Sequence, residues 1–120
     1  MLILKDSKIA PIKGNEGANI KQYFHPNNTE NGISYSLAQF TLESGKKSKL
    51  HKMKSSEVYY ILEGKGNLVV EQKNHFLEKN DSAYVPPNSK QFIENIGDED
   101  LKFLCVVEPA WKSSDEILLE

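Results

Sequence analysis

Several features that mark particular protein classes are scarce in this chain of 120 residues. Its formal charge is −2 and its pI is near 5.9, so it lacks the basic excess typical of nucleic-acid-binding proteins. No apolar run approaches the roughly 18 residues of a membrane span, and the apolar start at residues 1–4 is too short for a signal peptide. These absences predict a cytoplasmic protein that binds neither nucleic acid nor membranes.

Cysteine and the common catalytic motifs are also scarce. Cys105 is the single cysteine, so no internal disulfide can form, and its apolar neighbours predict a thiol that packs as a small hydrophobic group. A reactive thiol is the alternative. The chain has no G-x-S-x-G element, phosphate loop or dinucleotide fingerprint. The sequence therefore gives no indication of serine-hydrolase chemistry or nucleotide binding.

Helical periodicity is nearly absent, and short β-rich runs take its place. Turn residues separate the predicted strands, which are residues 18–24, 33–42, 57–63, 67–72, 75–78, 82–85, 90–95 and 101–107. The apolar parity changes within residues 33–42, which predicts a β-bulge near residues 37–39. Residues 64–66 predict a tight hairpin turn. At the corner formed by residues 86–89, Asn88 is expected to take the left-handed conformation.

The overall pattern is that of an all-β sandwich or barrel. The length suits one domain, residues 1–120. One exception to the β pattern is the tail, where residues 113–116 have the spacing of a capping box and predict a short C-terminal helical turn. A disordered end is the alternative for the tail.

Two stretches carry polar side chains at fixed intervals. The first reads G-x5-H-x-M-x3-E-x6-G, at Gly45, His51, Met53, Glu57 and Gly64. The second reads N-x5-P-x-N-x2-Q-x3-N, at Asn80, Pro86, Asn88, Gln91 and Asn95. Side chains two apart on a strand share a face, so His51 and Met53 point the same way. If the next strand pairs back, the Glu57 carboxylate can join them.

These intervals resemble the two sequence motifs of the cupins, with Met53 and Gln91 standing where two of the four usual metal ligands are histidines. The resemblance covers residues 45–107, with N-terminal strands in residues 1–44 and a tail at 108–120. It implies a small single-domain cupin with a double-stranded β-helix, or jelly-roll barrel, that is usually a homodimer. A barrel of this size holds one small ligand inside.

The resemblance also implies a metal site. His51, Glu57 and Gln91 match ligand positions and would hold a divalent metal ion, with Mn, Fe, Ni, Zn and Cu all left open. The Gln91 amide is a weaker donor than imidazole, and the Met53 thioether favours Cu(I) or simply fills space. The replaced ligands predict weaker binding than in an oxygenase with two histidines and a carboxylate.

Further side chains are candidates for the same site. Tyr59 shares the parity of Glu57 and is expected to face inward, as a proton donor or as a core tyrosine. Lys49 shares the parity of His51 and is a candidate for binding a ligand at the barrel mouth, although lysine runs are usually solvated. Trp111 follows the last strand and could cap the cavity.

The two remaining histidines have weaker prospects. His25 could supply a missing ligand, but it opens a turn-rich loop, where an exposed histidine is the plainer interpretation. His75 is expected to face solvent.

Two hypotheses from different classes remain open at this point. In the first, the protein is a small metal-dependent cupin enzyme acting on a sugar or small organic acid, with Tyr59 moving a proton. In the second, it is a metal-free module that binds a small polar molecule without catalysis, and His51, Glu57 and Gln91 serve as hydrogen-bonding groups. Retention of His51 and Glu57 at their spacing favours the first, and the two replaced ligands favour the second.

Overall fold

The computed structural model describes residues 1–120 and is built almost entirely of strands. Eleven strands follow one another along the chain: β1 (Ile12–Lys13), β2 (Asn19–Phe24), β3 (Ser36–Leu42), β4 (His51–Met53), β5 (Ser56–Glu63), β6 (Lys65–Val70), β7 (Lys73–Glu78), β8 (Ser82–Val85), β9 (Gln91–Asn95), β10 (Leu101–Glu108) and β11 (Glu116–Leu118). The helical content is three single 3-10 turns, at Asp6–Lys8, Pro26–Asn28 and Ser113–Asp115. No helical segment has the length and apolarity that a membrane crossing requires.

The strands form two antiparallel sheets. Six strands make one sheet in the order β1-β2-β3-β10-β5-β8, and five make the other in the order β11-β4-β9-β6-β7. Successive strands from β4 to β10 mostly alternate between the two sheets, which produces many crossovers rather than a simple series of hairpins. This arrangement confirms the predicted double-stranded β-helix.

The core lies between the two sheets and follows the two-residue periodicity of the strands. In β5, Glu57, Tyr59 and Ile61 are buried, whereas Val58 and Tyr60 are exposed. In β10, the odd-numbered residues from Leu101 to Val107 are buried. This alternation places every second side chain inside the barrel, so the parity predicted for Glu57, Tyr59 and Ile61 is confirmed.

The two cupin motifs normally have glycine at four positions. In this chain the residues at all four of these positions have positive φ. Gly45 and Gly64 have φ values of 78° and 86°, and Asn80 and Asn88 have values of 74° and 64°. Asparagine tolerates the left-handed region better than most residues. The motif spacing therefore encodes turns, and Asn80 and Asn88 supply the turn conformation without glycine. The expectation for Asn88 is confirmed.

The predicted hairpin turn at residues 64–66 is wrong. At Gly64 the chain passes from β5 in the six-stranded sheet to β6 in the five-stranded sheet. A side chain at Gly64 would meet the Asp100 carbonyl oxygen at 2.6 Å, so the close approach of another segment, together with its φ, requires glycine here. Local turn chemistry cannot distinguish a hairpin from such a crossover.

The predicted bulge lies on the neighbouring strand. β3 alternates regularly, and the register shift occurs in β2, where Gln22 pairs with Ala38 and Phe24 pairs with Leu37. Tyr23 is therefore the extra residue. The apolar residues at 33 and 35 that suggested a change of phase precede β3 and do not belong to it.

The tail also differs from the prediction in part. A 3-10 turn forms at Ser113–Asp115, without a side-chain cap, and the following residues form β11. β11 pairs with β4, so that Leu118 lies opposite His51. The tail is an ordered edge strand beside the motif histidine, because pairing with β4 satisfies backbone groups that a short helix would leave open.

Candidate functional site

A cavity of about 180 Å³ occupies one end of the barrel. Along β3 the inward side chains of Ser36, Ala38 and Phe40 line it, and those of Phe103, Cys105 and Val107 line it along β10. The loop between β1 and β2 and the C-terminal tail complete the wall, through Asn15, Glu16 and Trp111. The cavity is therefore built by barrel strands inside and outside the two motifs, together with segments near both chain ends.

His51 is buried and lines the cavity. Its Nδ1 lies 2.7 Å from the Lys49 carbonyl oxygen. Because a carbonyl can only accept, Nδ1 carries the proton and donates, which leaves Nε2 with a free lone pair. The backbone thus fixes the tautomer that a metal ion or a ligand hydrogen-bond donor would use.

Glu57 is buried in the same wall, and its Oε1 has no hydrogen-bond partner. Burial raises the pKa of this carboxyl, and the neighbouring Cys105 thiol, His51 and Gln91 oppose the shift. Burial and the Glu57 charge in turn raise the pKa of Cys105 well above its usual range. Cys105 is therefore held as a protonated thiol, which agrees with the packing role expected for it and not with a reactive nucleophile.

Gln91 and Tyr59 form a buried pair. The Tyr59 hydroxyl donates to the Gln91 Oε1 across 2.5 Å, and Gln91 pairs directly with His51 between β9 and β4. Burial raises the pKa of Tyr59 well above its usual range, so its hydroxyl remains a donor. Tyr59 lines the cavity, whereas Gln91 is buried and is not a lining residue. The amide oxygen expected to ligate a metal is thus already bound to Tyr59.

Aromatic and thioether groups form the apolar part of the wall. Phe40 and Phe103 stack with ring centroids 5.4 Å apart, and Tyr59 lies at the same distance on the other side of Phe103. Met53 is buried beside them as part of the core cluster. Trp111 lines the cavity as expected and donates from Nε1 to Glu116 Oε2 at 3.2 Å.

Three other candidates lie outside the cavity. Lys49 is exposed and does not line the cavity, because residues 48–50 precede β4 and do not continue its alternation, so its role at the mouth stays a prediction. His25 accepts at Nδ1 from the Asn27 amide and contacts the Trp111 carbonyl oxygen through Nε2 at 2.9 Å. Both of its ring nitrogens are therefore occupied. His75 is exposed on β7, as expected.

Two acidic residues that the motifs do not contain also line the cavity. Glu16 is 5% exposed, and its Oε1 has no hydrogen-bond partner. Burial raises the pKa of Glu16, and the nearby Glu116 raises it further while His51 lowers it. Glu116 comes from β11 and likewise has a buried, unpartnered Oε1. Both residues are remote in sequence from the motifs, and only the fold brings them to the cavity.

The three unpartnered oxygens belong to residues that line one cavity. The Oε1 atoms of Glu16, Glu57 and Glu116 are the buried side-chain nitrogen and oxygen atoms of this protein without a hydrogen-bond partner. All three residues line the same cavity. Buried polar groups are almost always paired, so the residues of the cavity wall carry acceptors that the protein itself does not satisfy.

The donor set does not fit a cupin metal centre with three or four protein ligands. No group of three or more His, Cys, Asp or Glu side chains converges in metal-binding geometry. His51 Nε2 and Glu57 Oε1 are free to bind an ion, but Gln91 Oε1 is engaged by Tyr59. Catalytic zinc sites and non-haem iron centres use three protein ligands. The residues present here supply two strong donors.

Two antiparallel sheets around a cavity with polar side chains in its wall define a small β-barrel domain. The chain belongs to the cupin family, since the model of the cupin domain matches residues 38–107. An uncharacterized protein of Methanocaldococcus jannaschii is 39% identical over 114 residues, which are 94% of this chain and 90% of that protein.

Solved structures share the fold. A predicted oxalate decarboxylase from Thermotoga maritima has a TM-score of 0.79 at 24% identity, over 90% of this chain and 99% of that one. An S161A mutant of Bacillus subtilis oxalate decarboxylase has a TM-score of 0.79 at 25% identity, over 94% of this chain and 30% of that one. A putative ethanolamine utilization protein from Salmonella typhimurium has a TM-score of 0.74 at 14% identity, over 91% of this chain and 86% of that one.

Proposed function

We propose that this cupin binds a compact small molecule in its barrel cavity, through the unpartnered carboxyl oxygens of Glu16, Glu57 and Glu116. The observation that carries the proposal is that all three residues with an unpartnered buried oxygen line one cavity. Leaving a buried acceptor unpaired costs about 1–3 kcal/mol, and a ligand with hydrogen-bond donors would remove that cost. The metal-free alternative raised by the sequence thus has the stronger support.

The cavity limits the size of this ligand. Its volume of about 180 Å³ compares with roughly 150 Å³ for an engineered cavity that binds benzene. A molecule of about six to nine non-hydrogen atoms fits that space. The stacked Phe40 and Phe103 rings favour an apolar body, while the carboxyl groups favour a polar end.

Oxalate is a poor candidate for this cavity despite the similar folds of oxalate decarboxylases. Oxalate is a dianion, and it would face three carboxyl groups. The chain contains no arginine, and Lys13, the one lysine in the wall, is exposed. Like charges at close range are unfavourable, most strongly where water is excluded.

A weak divalent metal site is the second candidate. The specific observation that favours it is His51, whose Nδ1 proton is held by the Lys49 carbonyl, which leaves Nε2 free in a wall that also contains Glu57. With two protein donors, a bound ligand or water would have to complete the coordination. Tyr59, whose hydroxyl is in the same wall, would then be the proton donor of the enzyme hypothesis.

The proposed function is tested by a fragment screen on chelator-treated protein. Trp111 is the single tryptophan and lines the cavity, so its fluorescence reports binding directly, and the melting temperature gives an independent readout. We expect compact fragments to bind, and we expect Ala38→Leu, which fills the cavity, to weaken them. A screen without any fragment sensitive to Ala38→Leu would overturn the proposal.

The metal candidate is tested by elemental analysis and by melting scans in chelator and in added Mn(II), Fe(II), Ni(II), Zn(II) and Cu(I). A metal-dependent rise in melting temperature should disappear in His51→Ala and persist in His75→Ala, the matched exposed histidine. An unchanged rise in His51→Ala would refute binding at this site. If metal is bound and a substrate is found, loss of turnover with retained binding in Tyr59→Phe would support the enzyme hypothesis.

A homodimer also remains part of this proposal. Val58, Tyr60 and Tyr84 are 39%, 40% and 64% exposed on the outer face of the six-stranded sheet. The register places Val58 between Tyr84 and Val106, which makes the apolar surface continuous. Such a surface next to the edge strand β8 favours pairing with a second copy.

Sedimentation tests the dimer. Tyr84→Lys on β8 should shift the protein toward monomer, whereas Phe76→Lys, an equally exposed aromatic position on β7 of the other sheet, should not. A monomeric native protein, or a dimer lost only in Phe76→Lys, would contradict this interface. The cytoplasmic location and the absence of nucleic-acid binding stay predictions from composition.

A further inference from the structure

The charge in the cavity wall restricts the ligand more than its volume does. The wall holds three carboxyl groups, from Glu16, Glu57 and Glu116, and its basic groups are His51 and the exposed Lys13. Glu16 and Glu57 are each 5% exposed, and each has a buried oxygen without a partner. Neither has a protein cation bound to it, because the ion pairs of this protein are Lys21 with Asp6 and Lys102 with Glu63.

The rest of the wall is apolar and aromatic. Twelve of the 22 lining residues are hydrophobic, which suits an organic body better than a fully hydrated ion. Phe40, Phe103 and Tyr59 form a continuous row of rings. Aromatic faces attract organic cations, and the attraction grows when water is excluded.

We propose that the ligand of this cavity is a small organic cation, an ammonium compound with an apolar body, whose N–H groups donate to the unpartnered oxygens of Glu16 and Glu57. This inference rests on the proposed function and adds the chemical class of the ligand. A primary ammonium has three donors, which matches the number of unpartnered oxygens in the wall. Glu116 Oε1 is the third acceptor, and the aromatic row contacts the carbon body.

The inference also accounts for the positions of Glu16 and Glu116. Neither belongs to a cupin motif interval, and they reach the cavity from opposite chain ends. The Glu16 carbonyl accepts from the Lys49 amide at 2.7 Å, and Asn15 Nδ2 donates to Ser113 Oγ at 3.2 Å. These contacts join the β1–β2 loop to the segment before β4 and to the tail, and they bring Glu16 and Glu116 to the cavity wall that contains Glu57.

A matched set of ring compounds tests the inference. Protonated cyclohexylamine, cyclohexanol and cyclohexanecarboxylate share one body and differ in the charge of the polar group. Binding is measured by Trp111 fluorescence and by melting temperature, in an amine-free buffer containing chelator so that metal ions do not compete. We expect the amine to bind about tenfold or more tightly than the alcohol, the difference that one charge-assisted hydrogen bond supplies. We expect no binding of the carboxylate.

Neutral variants locate the effect. Glu16→Gln and Glu57→Gln keep the side-chain shape and should each reduce the preference for the amine over the alcohol about tenfold. Glu43→Gln changes an exposed glutamate outside the cavity and should leave the preference unchanged. Circular dichroism and the retained binding of cyclohexanol show that the variants are folded.

The outcomes separate this inference from the proposed function. If the alcohol or the carboxylate binds as well as the amine, the cavity binds a small molecule but the cationic class is wrong. If none of the three compounds binds while the fragment screen finds neutral or anionic ligands sensitive to Ala38→Leu, the inference also fails and the proposed function stands. If neither experiment finds a ligand, both fail.

Discussion

Polar side chains are buried to the same extent at the two ends of the barrel, the cavity end and the opposite, closed end. They differ in whether their hydrogen bonds are formed within the protein. At the closed end, Asn95 is 2% exposed, and it donates to the carbonyls of Leu42 and Glu99 while accepting from the Gly97 amide. At the cavity end, Glu57 is 5% exposed, and its Oε1 has no partner. A satisfied buried amide stabilises the fold, whereas an unsatisfied buried carboxyl makes sense where a ligand arrives.

The same division runs along individual strands. In β10, Leu101 packs at the closed end while Phe103, Cys105 and Val107 line the cavity. In β5, Ile61 is fully buried in the core and Glu57 and Tyr59 line the cavity. The same strands thus supply both a stabilising core and the cavity wall, with the boundary between Leu101 and Phe103 in β10 and between Tyr59 and Ile61 in β5.

The largest expected effect is on stability, and it compares a core residue at the closed end with a residue of the cavity wall. Ile61→Ala should lower the free energy of unfolding by about 2–5 kcal/mol, because a new void forms in a packed core. Met53→Ala should cost about 2 kcal/mol or less, since it enlarges a cavity that already exists. Urea denaturation measures both. Equal losses in the two variants would mean that the cavity end is packed as tightly as the closed end.

The next effect concerns Asn95. Asn95→Ala removes three hydrogen bonds and leaves buried backbone groups unpaired, so it should lower the free energy of unfolding by about 2–3 kcal/mol. The control is Asn74→Ala, which removes an exposed side-chain contact with Asn67 on β6 and should cost about 0.5 kcal/mol or less. A small effect at Asn95 would show that water replaces its partners.

Replacing Glu16 is expected to raise the free energy of unfolding, whereas the substitutions above lower it. Burial raises the pKa of Glu16, so between its unfolded and folded pKa values the folded state binds more protons than the unfolded state. Its favourable contribution is complete below the unfolded pKa and disappears as the pH rises through the folded pKa. In the ligand-free protein, Glu16→Gln should therefore raise stability at neutral pH, by on the order of 1 kcal/mol.

Melting scans across pH check this prediction. The stability of the native protein should fall between mildly acidic and neutral pH, and Glu16→Gln should show a weaker fall. Glu57→Gln should act in the same direction, since burial raises that pKa as well. A variant less stable than the native protein at neutral pH would indicate that Glu16 is already paired in solution.

The smallest effect is expected at Lys49, which lies outside both ends of the barrel interior. Lys49→Ala should change the free energy of unfolding by no more than about 0.5 kcal/mol and leave ligand binding unchanged. Fluorescence titration with a ligand from the screen measures the second point. Weakened binding would place the Lys49 ammonium at the cavity mouth, as sequence parity predicts.

Sequence reasoning succeeded where the physical signal was local. Alternation within β5 correctly gave the inward faces of Glu57 and Tyr59, because strand geometry repeats every two residues. Parity gives no guidance at Lys49, since residues 48–50 precede β4 and are not part of a regular strand. Sequence reasoning failed at residues 64–66, because a tight turn and a crossover between sheets use the same residue types.

The chain by itself determined the fold family, through motif intervals that place left-handed residues at Gly45, Gly64, Asn80 and Asn88, and it determined which motif residues point inward. Only the tertiary structure decided what the site can bind. The Tyr59 hydroxyl takes the amide oxygen of Gln91, and Glu16 and Glu116 arrive from opposite ends of the chain. Long-range pairing and burial create those relationships, and neither leaves a local trace in the sequence.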